Sequence, residues 1–393
     1  MNLRPLLLLL PLGAFAQDDP WDDSAWEDDW VEERTGVVWN GFVEGAFGTR
    51  FNEDPLIGNR STLEDLRWRV ETEWQFGDIK LGLKADFGYD GIESAFIADA
   101  RNLAVSFPAG ESIDVKVGRQ VQTWGTGDLV FLNDLFPKDF VSFFAGRDDE
   151  YLKAPGDAVR VTRYSDLVNV DFVWTPVFEP DVYLTGERFS FYSPAAGQNI
   201  APVPPFSATE PDNKFANGEF ALRLYRKIES TEYALYAYRG FSKQPFFVPM
   251  NAWGASVRRP AGPGLVNLET AYYGLDDDND QLRFLLGYEW ETRPNFTVGL
   301  QYYLEQNDAT DNRHLLTNRL TYRAGRGRHT WSLFTFYSPS DNDYYLRPRY
   351  TYRHSDEWSV TAGASLFGGR DVQSFFGQFD DASNVFIRLR FHY

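Results

Sequence analysis

From Gly36 onward the chain alternates apolar and polar residues, the period-two spacing that sends successive side chains of an extended strand to opposite faces. The clearest segment sets Leu66, Trp68, Val70, Thr72, Trp74 and Phe76 against Arg67, Arg69, Glu71, Glu73 and Gln75. Another sets Phe296, Val298, Leu300, Tyr302 and Leu304 against Thr297, Gly299, Gln301, Tyr303 and Glu305. The pattern predicts eighteen strands, over 37–48, 63–76, 79–88, 94–106, 112–123, 158–164, 167–175, 218–228, 231–241, 251–259, 264–274, 281–291, 295–305, 314–324, 328–338, 343–354, 357–367 and 384–393. The last carries Val385, Ile387, Leu389, Phe391 and Tyr393 on one face and Phe386, Arg388, Arg390 and His392 on the other.

The connections between these strands alternate in length. Every second one is a tight turn rich in Gly, Pro, Asp or Ser, as at Gly77-Asp78, Glu229-Ser230 and Ser355-Asp356. The intervening set holds the long segments Thr49–Thr62, Gly125–Asp157, Pro176–Asn217 and Phe367–Ser383. No apolar run after the first sixteen residues approaches the ~20 residues of a membrane helix. Yet aromatic residues make up 17% of the chain, and its mean hydropathy is −0.42. A transmembrane barrel combines these properties, because alternate residues are polar while aromatic girdles enrich Tyr, Trp and Phe. Hydrocarbon cannot satisfy an open sheet edge, so the strands must close on themselves. The predicted fold is therefore all-β: a transmembrane antiparallel outer-membrane β-barrel of about eighteen strands, with sixteen as the alternative. Both termini fall on the short-turn, periplasmic side, and a barrel this wide holds water unless something plugs it.

Met1–Ala16 has one basic residue, Arg4, an apolar stretch Leu6–Leu10 and a small-residue end, the organisation of a signal peptide. Residues 17–35 form an acidic, Trp-rich periplasmic tail, with nine acidic residues and Trp21, Trp26 and Trp30 before residue 34. This segment reads either as an unstructured tail or as a dock (residues 17–33) for a periplasmic partner that is basic or grips aromatic side chains. Residues 36–393 make the barrel. The chain has no cysteine, which removes disulfides and thiolate metal sites. The terminal strand, stopping on Tyr393, resembles the C-terminal assembly signal of bacterial outer-membrane barrels. That resemblance implies recognition of Phe391 and Tyr393 by the barrel assembly machinery. It also implies contact with outer-membrane lipid and lipopolysaccharide.

The third outer loop, Gly125–Asp157, is unusually apolar, with Phe131, Phe136, Phe140, Phe143 and Phe144 among its residues. Contiguous apolar surface is a liability in water, so the loop is expected to fold into the lumen as a constriction. The alternative is a cap on the outer rim. Gly118-Arg119-Gln120, Thr123-Trp124-Gly125, Asp128, Asn133-Asp134, Pro137 and Asp139 resemble a signature of poorly characterised Gram-negative porin-like barrels, reminiscent of alginate-export barrels. The resemblance implies a transport barrel without specifying a cargo. Trp124, Asp128, Phe131, Asp134, Phe136, Asp139 and Phe140 are the candidate constriction residues. Asp128, Asp134 and Asp139 are expected to pin the loop to luminal arginines.

Strand parity turns sixteen basic and ten acidic residues inward, an excess of six positive charges in a chain whose net charge is −19. Arg67, Arg69, Glu71, Glu73, Arg319, Arg323, Arg347, Arg349, Arg388 and Arg390 are the candidate pore-lining set. A wall of one predominant sign concentrates the opposite ion, which points to a channel for small anionic solutes. The alternatives are a conduit for amphiphilic or hydrophobic cargo or an exported polymer, and a docking barrel for a periplasmic partner. The four histidines show no nucleophile–base spacing, so no catalytic residues, metal site or cofactor are assigned. No basic patch suited to nucleic acid is present.

Overall fold

The computed structural model describes residues 37–212, 214–243, 246–276, 279–307 and 311–393. The expected signal peptide and the acidic tail over 17–35 lie outside the described residues. The strands are β1 (Asn40–Arg50), β2 (Ser61–Phe76), β3 (Ile79–Asp90), β4 (Ala95–Pro108), β5 (Ile113–Val121), β6 (Pro155–Arg163) and β7 (Asn169–Thr175). A short hairpin follows, β8 (Phe191–Ser193) and β9 (Gln198–Ile200), then β10 (Glu219–Ile228), β11 (Thr231–Phe241), β12 (Pro249–Ala261) and β13 (Gly264–Leu275). The chain ends with β14 (Gln281–Arg293), β15 (Phe296–Asn307), β16 (Arg313–Ala324), β17 (His329–Ser338), β18 (Asp343–Arg353), β19 (Trp358–Gly369) and β20 (Asn384–His392).

All strands except β8 and β9 belong to one 18-stranded sheet, and β1 pairs with both β2 and β20, which closes it into a barrel. The seam runs in register from Phe42↔His392 to Arg50↔Asn384. Gly41 and Tyr393 exchange backbone hydrogen bonds at 3.2 Å, so pairing reaches the final residue. Every predicted strand is present, with ends within three residues of expectation. The first begins at Asn40 rather than Val37.

Burial is inside out. Leu66 is 58% exposed, while its neighbour Arg67 is 5% exposed. Along β20, Val385, Ile387 and Leu389 are exposed and Phe386 and Arg388 are buried. The apolar face belongs in hydrocarbon and the charged face in the lumen. Toward the short-turn end the outer face carries stacked aromatics: Tyr322 on Trp331, Trp331 on His329 and His329 on Tyr352. Trp358 packs on Phe391 at 4.9 Å. Such rings match the boundary between hydrocarbon and headgroups. An apolar outer band, aromatic rims and a closed eighteen-stranded wall make this an outer-membrane barrel.

Candidate functional site

The segment between β5 and β6 does not stay at the rim. It enters the lumen and holds a one-and-a-half-turn helix, α1 (Phe140–Ala145). Asp139 caps the helix by accepting from the Ser142 amide at 2.7 Å. Gly146 ends it in the left-handed region, φ 90°, a conformation that favours glycine.

The loop is fastened on every side of the wall. Trp124 donates its Nε1–H to Asp171 of β7 at 3.2 Å and packs edge-on against Phe136 at 5.0 Å. Asn133 donates to Glu269 of β13 at 2.9 Å, and that carboxylate also accepts from the Thr126 amide. The Asp128 amide donates to Gln301 of β15 at 2.7 Å, while Arg319 of β16 grips the Asp128 carboxylate through two bonds of 2.5 and 2.7 Å. Phe143 and Phe144 pack on a patch of inward-facing rings: Phe336 of β17, Tyr345 of β18 and Phe367 of β19. Phe379 and Phe189, from two other outer loops, cover Phe144 from above. The apolar residues therefore face the inner wall and the outer loops together.

Beyond α1, the run Arg147-Asp148-Asp149-Glu150 meets the strongest charges of the lumen. Asp149 accepts from Arg347 at 2.7 Å and Arg349 at 2.6 Å, both on β18. Asp148 accepts from Arg388 and Arg390 of β20, each at 3.2 Å. Glu150 pairs with Arg69 of β2 and lies 3.6 Å from Lys84 of β3. Arg147 reverses the polarity, donating to Asp65 at 2.7 Å and to Asp90 at 2.6 Å. Four guanidiniums on β18 and β20 thus face three carboxylates, Asp148, Asp149 and Glu44, the last 2.8 Å from Arg390. Arg347, Arg349 and Arg388 each keep a buried Nε–H that no atom of the described residues accepts. Burial opposes ionisation of Asp148 and Asp149, but the facing guanidiniums overcome it and hold both carboxyls well below the ordinary range.

Among the expected pore-lining residues, Arg67 pairs with Asp65 at 3.0 Å and Arg69 with Asp86 at 2.6 Å. Glu71 lies 3.4 Å from Lys84, and Glu73 lies 3.8 Å from Lys80 nearer the short-turn end. Arg323 is exposed at that end. Of the constriction residues, Asp128 meets Arg319 of the inner wall. Asp134 and Asp139 do not: Asp134 binds Lys138 at 2.8 Å within the loop, and Asp139 caps α1. Their backbone positions place them over loop atoms rather than wall arginines. Phe131 stacks beneath the Lys138 ammonium at 4.8 Å, and Phe140 packs near Phe144 at 6.4 Å. Asp148, Asp149 and Glu150 supply the pairing that was expected of Asp134 and Asp139. The signal in the sequence was the acidic run closing an apolar loop opposite an arginine-rich wall.

Phe391 and Tyr393 face outward. The Tyr393 hydroxyl accepts from Trp68 Nε1 at 2.8 Å and donates to the Arg69 carbonyl at 2.9 Å. Each histidine meets an aromatic ring: His314 Tyr302, His329 Tyr350, His354 Tyr352 and His392 Phe42. In the outer run around Asp276, the described Asp280 accepts from Tyr272 and from the Leu275 amide.

No protein-family model and no curated protein sequence matches the chain. Solved structures do. A BenF-like porin from Pseudomonas fluorescens is 10% identical with a TM-score of 0.58, over 91% of this chain and 98% of that one. OccD3 (OpdP) of Pseudomonas aeruginosa is 10% identical with a TM-score of 0.58, over 91% of each chain. OccAB1 of Acinetobacter baumannii is 10% identical with a TM-score of 0.57, over 91% and 96%. The fold is that of outer-membrane porin-like barrels.

Proposed function

We propose that the protein is an outer-membrane channel through which small anionic solutes diffuse past the inserted loop. The observation that carries this reading is the arginine cluster of β18 and β20, where four guanidiniums share three carboxylates and three Nε–H groups find no acceptor among the described residues. A positive excess confined by a low-dielectric wall concentrates anions at the narrow part of the path. The apolar loop residues, which alone would favour amphiphilic cargo, are packed against Tyr345, Phe367 and Phe379 rather than presented to a passing solute.

Reversal potentials across a salt gradient in planar bilayers test this. The wild-type channel is expected to favour anions. Replacing Asp148→Asn and Asp149→Asn removes two negative charges from the cluster while keeping acceptor atoms in place. The potential should then move further toward the anion limit, most strongly in dilute electrolyte, because the Debye length is ~30 Å at 0.01 M and ~8 Å at 0.15 M. A wild-type preference for cations would overturn the reading.

A further inference from the structure

Among the described residues, one arc of the short-turn end and the long-loop end carry opposite unpaired charge. On the short-turn end, the hairpins from β12 to β19 expose Arg258, Arg259, Arg293, Arg323, Arg326, Arg328 and Arg353. None of the seven takes part in an ion pair among the described residues, whereas the mid-lumen arginines are held by carboxylates. The carboxylates on the same stretch are Glu289, Glu291, Asp356 and Glu357. Glu291 accepts from the Asn295 amide at 2.6 Å, and Glu357 from Ser355 at 2.6 Å. Seven cations therefore stand against four acids. Backbone bonds tie the neighbouring turns into one surface: Arg323 N to Asn295 O at 2.9 Å, and Arg353 N to Arg328 O at 2.8 Å.

This arc is continuous with the inner wall. Arg353, Arg349 and Arg347 share the inward face of β18, and Arg323 and Arg319 share that of β16. The long-loop end is the reverse. Glu187, Glu210, Asp276, Asp371, Asp380 and Asp381 are exposed there without an ion-pair partner among the described residues. Arg239 and Arg370 are the exposed cations lacking one at that end.

We infer that the barrel is a bipolar pore, with an anion-gathering arc at its short-turn mouth and an acidic outer rim, and that it therefore passes current asymmetrically. The inference rests on the channel reading. Fixed positive charge fills its mouth with anions and fixed negative charge fills the other with cations. With the negative electrode on the short-turn side, the field drives both populations into the pore. With polarity reversed it draws both outward and depletes the middle.

The test is the current–voltage curve of the full-length protein in planar bilayers with symmetric dilute salt. The chain has no cysteine, so Gln373→Cys on an outer loop, labelled from one side with a bulky impermeant maleimide, fixes the orientation. Current is expected to be about twofold or more larger when the short-turn side is negative. The ratio should shrink toward unity in ~1 M salt, where the Debye length is ~3 Å. The variant Arg258→Gln, Arg259→Gln, Arg326→Gln, Arg328→Gln, Arg353→Gln should lose the asymmetry at low salt while remaining heat-modifiable on gels. An ohmic wild type, rectification of the opposite sense, or a ratio unchanged in the variant would overturn the inference. A wild type that rectifies as stated yet prefers cations would overturn the anion-channel reading and leave the bipolar arrangement standing.

Discussion

Asp148, Asp149 and Asp181 are loop carboxyls with opposite fates. For the first pair, guanidiniums outweigh burial and the carboxyls stay depressed. An acid depressed in the folded state stabilises it above the unfolded value of ~3.9 and loses that contribution as pH falls through the folded value. The loop should thus remain latched from neutral pH down into the strongly acidic range. Asp181 differs. Burial pushes it up to about 7, and Lys138 and Lys243 only partly offset that. Its carboxylate accepts the Lys138 amide at 2.8 Å, while the Lys138 ammonium is engaged by Asp134. A raised acid releases its proton more readily when unfolded, so stability of this junction falls as pH rises from about 4 to about 7 and is level above. Asp181→Asn keeps an acceptor for the Lys138 amide and should flatten the dependence, as read by hydrogen exchange of residues 136–140 between pH 4 and 8. Little of this was legible in the sequence. Asp128 meets Arg319, yet nothing in residue type separates it from Asp134 and Asp139, because which acid reaches a wall arginine depends on the loop's path.

At the scale of elements, the strands were legible because a barrel wall imposes one rule on every residue. Lipid on one face and water or charge on the other leave a period-two record that survives wherever the strand lies. The loop obeys no such rule. Its helix has six residues, too short to be stable or to be detected by periodicity. It exists because Phe143 and Phe144 insert among Phe336, Tyr345 and Phe367 and because both ends are capped. The β8–β9 hairpin, seated on the outer side with Tyr192 N bonded to Gln378 at 2.9 Å, was missed for the same reason. Gly146 tests the account. It sits at φ 90°, and an added side chain would meet the ring of Phe386 on β20. Gly146→Val should therefore lift the end of α1 from the wall and loosen the adjoining Asp148–Arg388 contact. The expected phenotype is a barrel that stays heat-modifiable on gels, with faster proteolysis at residues 140–150 and larger single-channel conductance. Asp139→Ala, which removes only the cap at a cost of about 1 kcal/mol, should show the same changes more weakly.

For the whole molecule, everything depends on one closure. Eighteen strands have two edges, and the β1–β20 seam removes both. Without it, hydrocarbon would face unpaired amides and carbonyls along two strands, each unmet group costing several kcal/mol. Tyr393 sits at the foot of this seam with three roles. Its backbone pairs with Gly41, its hydroxyl bridges Trp68 Nε1 and the Arg69 carbonyl, and its ring lies on the lipid side. The bridge reaches past β1 to β2, so the last residue ties three strands together. Gly41 permits it: any side chain there would collide with the Arg69 carbonyl and approach the Tyr393 hydroxyl. Tyr393→Asp puts a charge at the rim and removes the bridge, while Tyr393→Phe removes the bridge alone. If the ring at the chain end directs assembly, Tyr393→Phe should insert normally and show only a lowered temperature for loss of the compact gel band. Tyr393→Asp should leave little heat-modifiable protein in the outer-membrane fraction. Should both variants fail equally, the hydroxyl bridge rather than the apolar ring would be what closes the barrel. Gly41→Val would then be expected to fail with them, since it strikes the same junction from the other side.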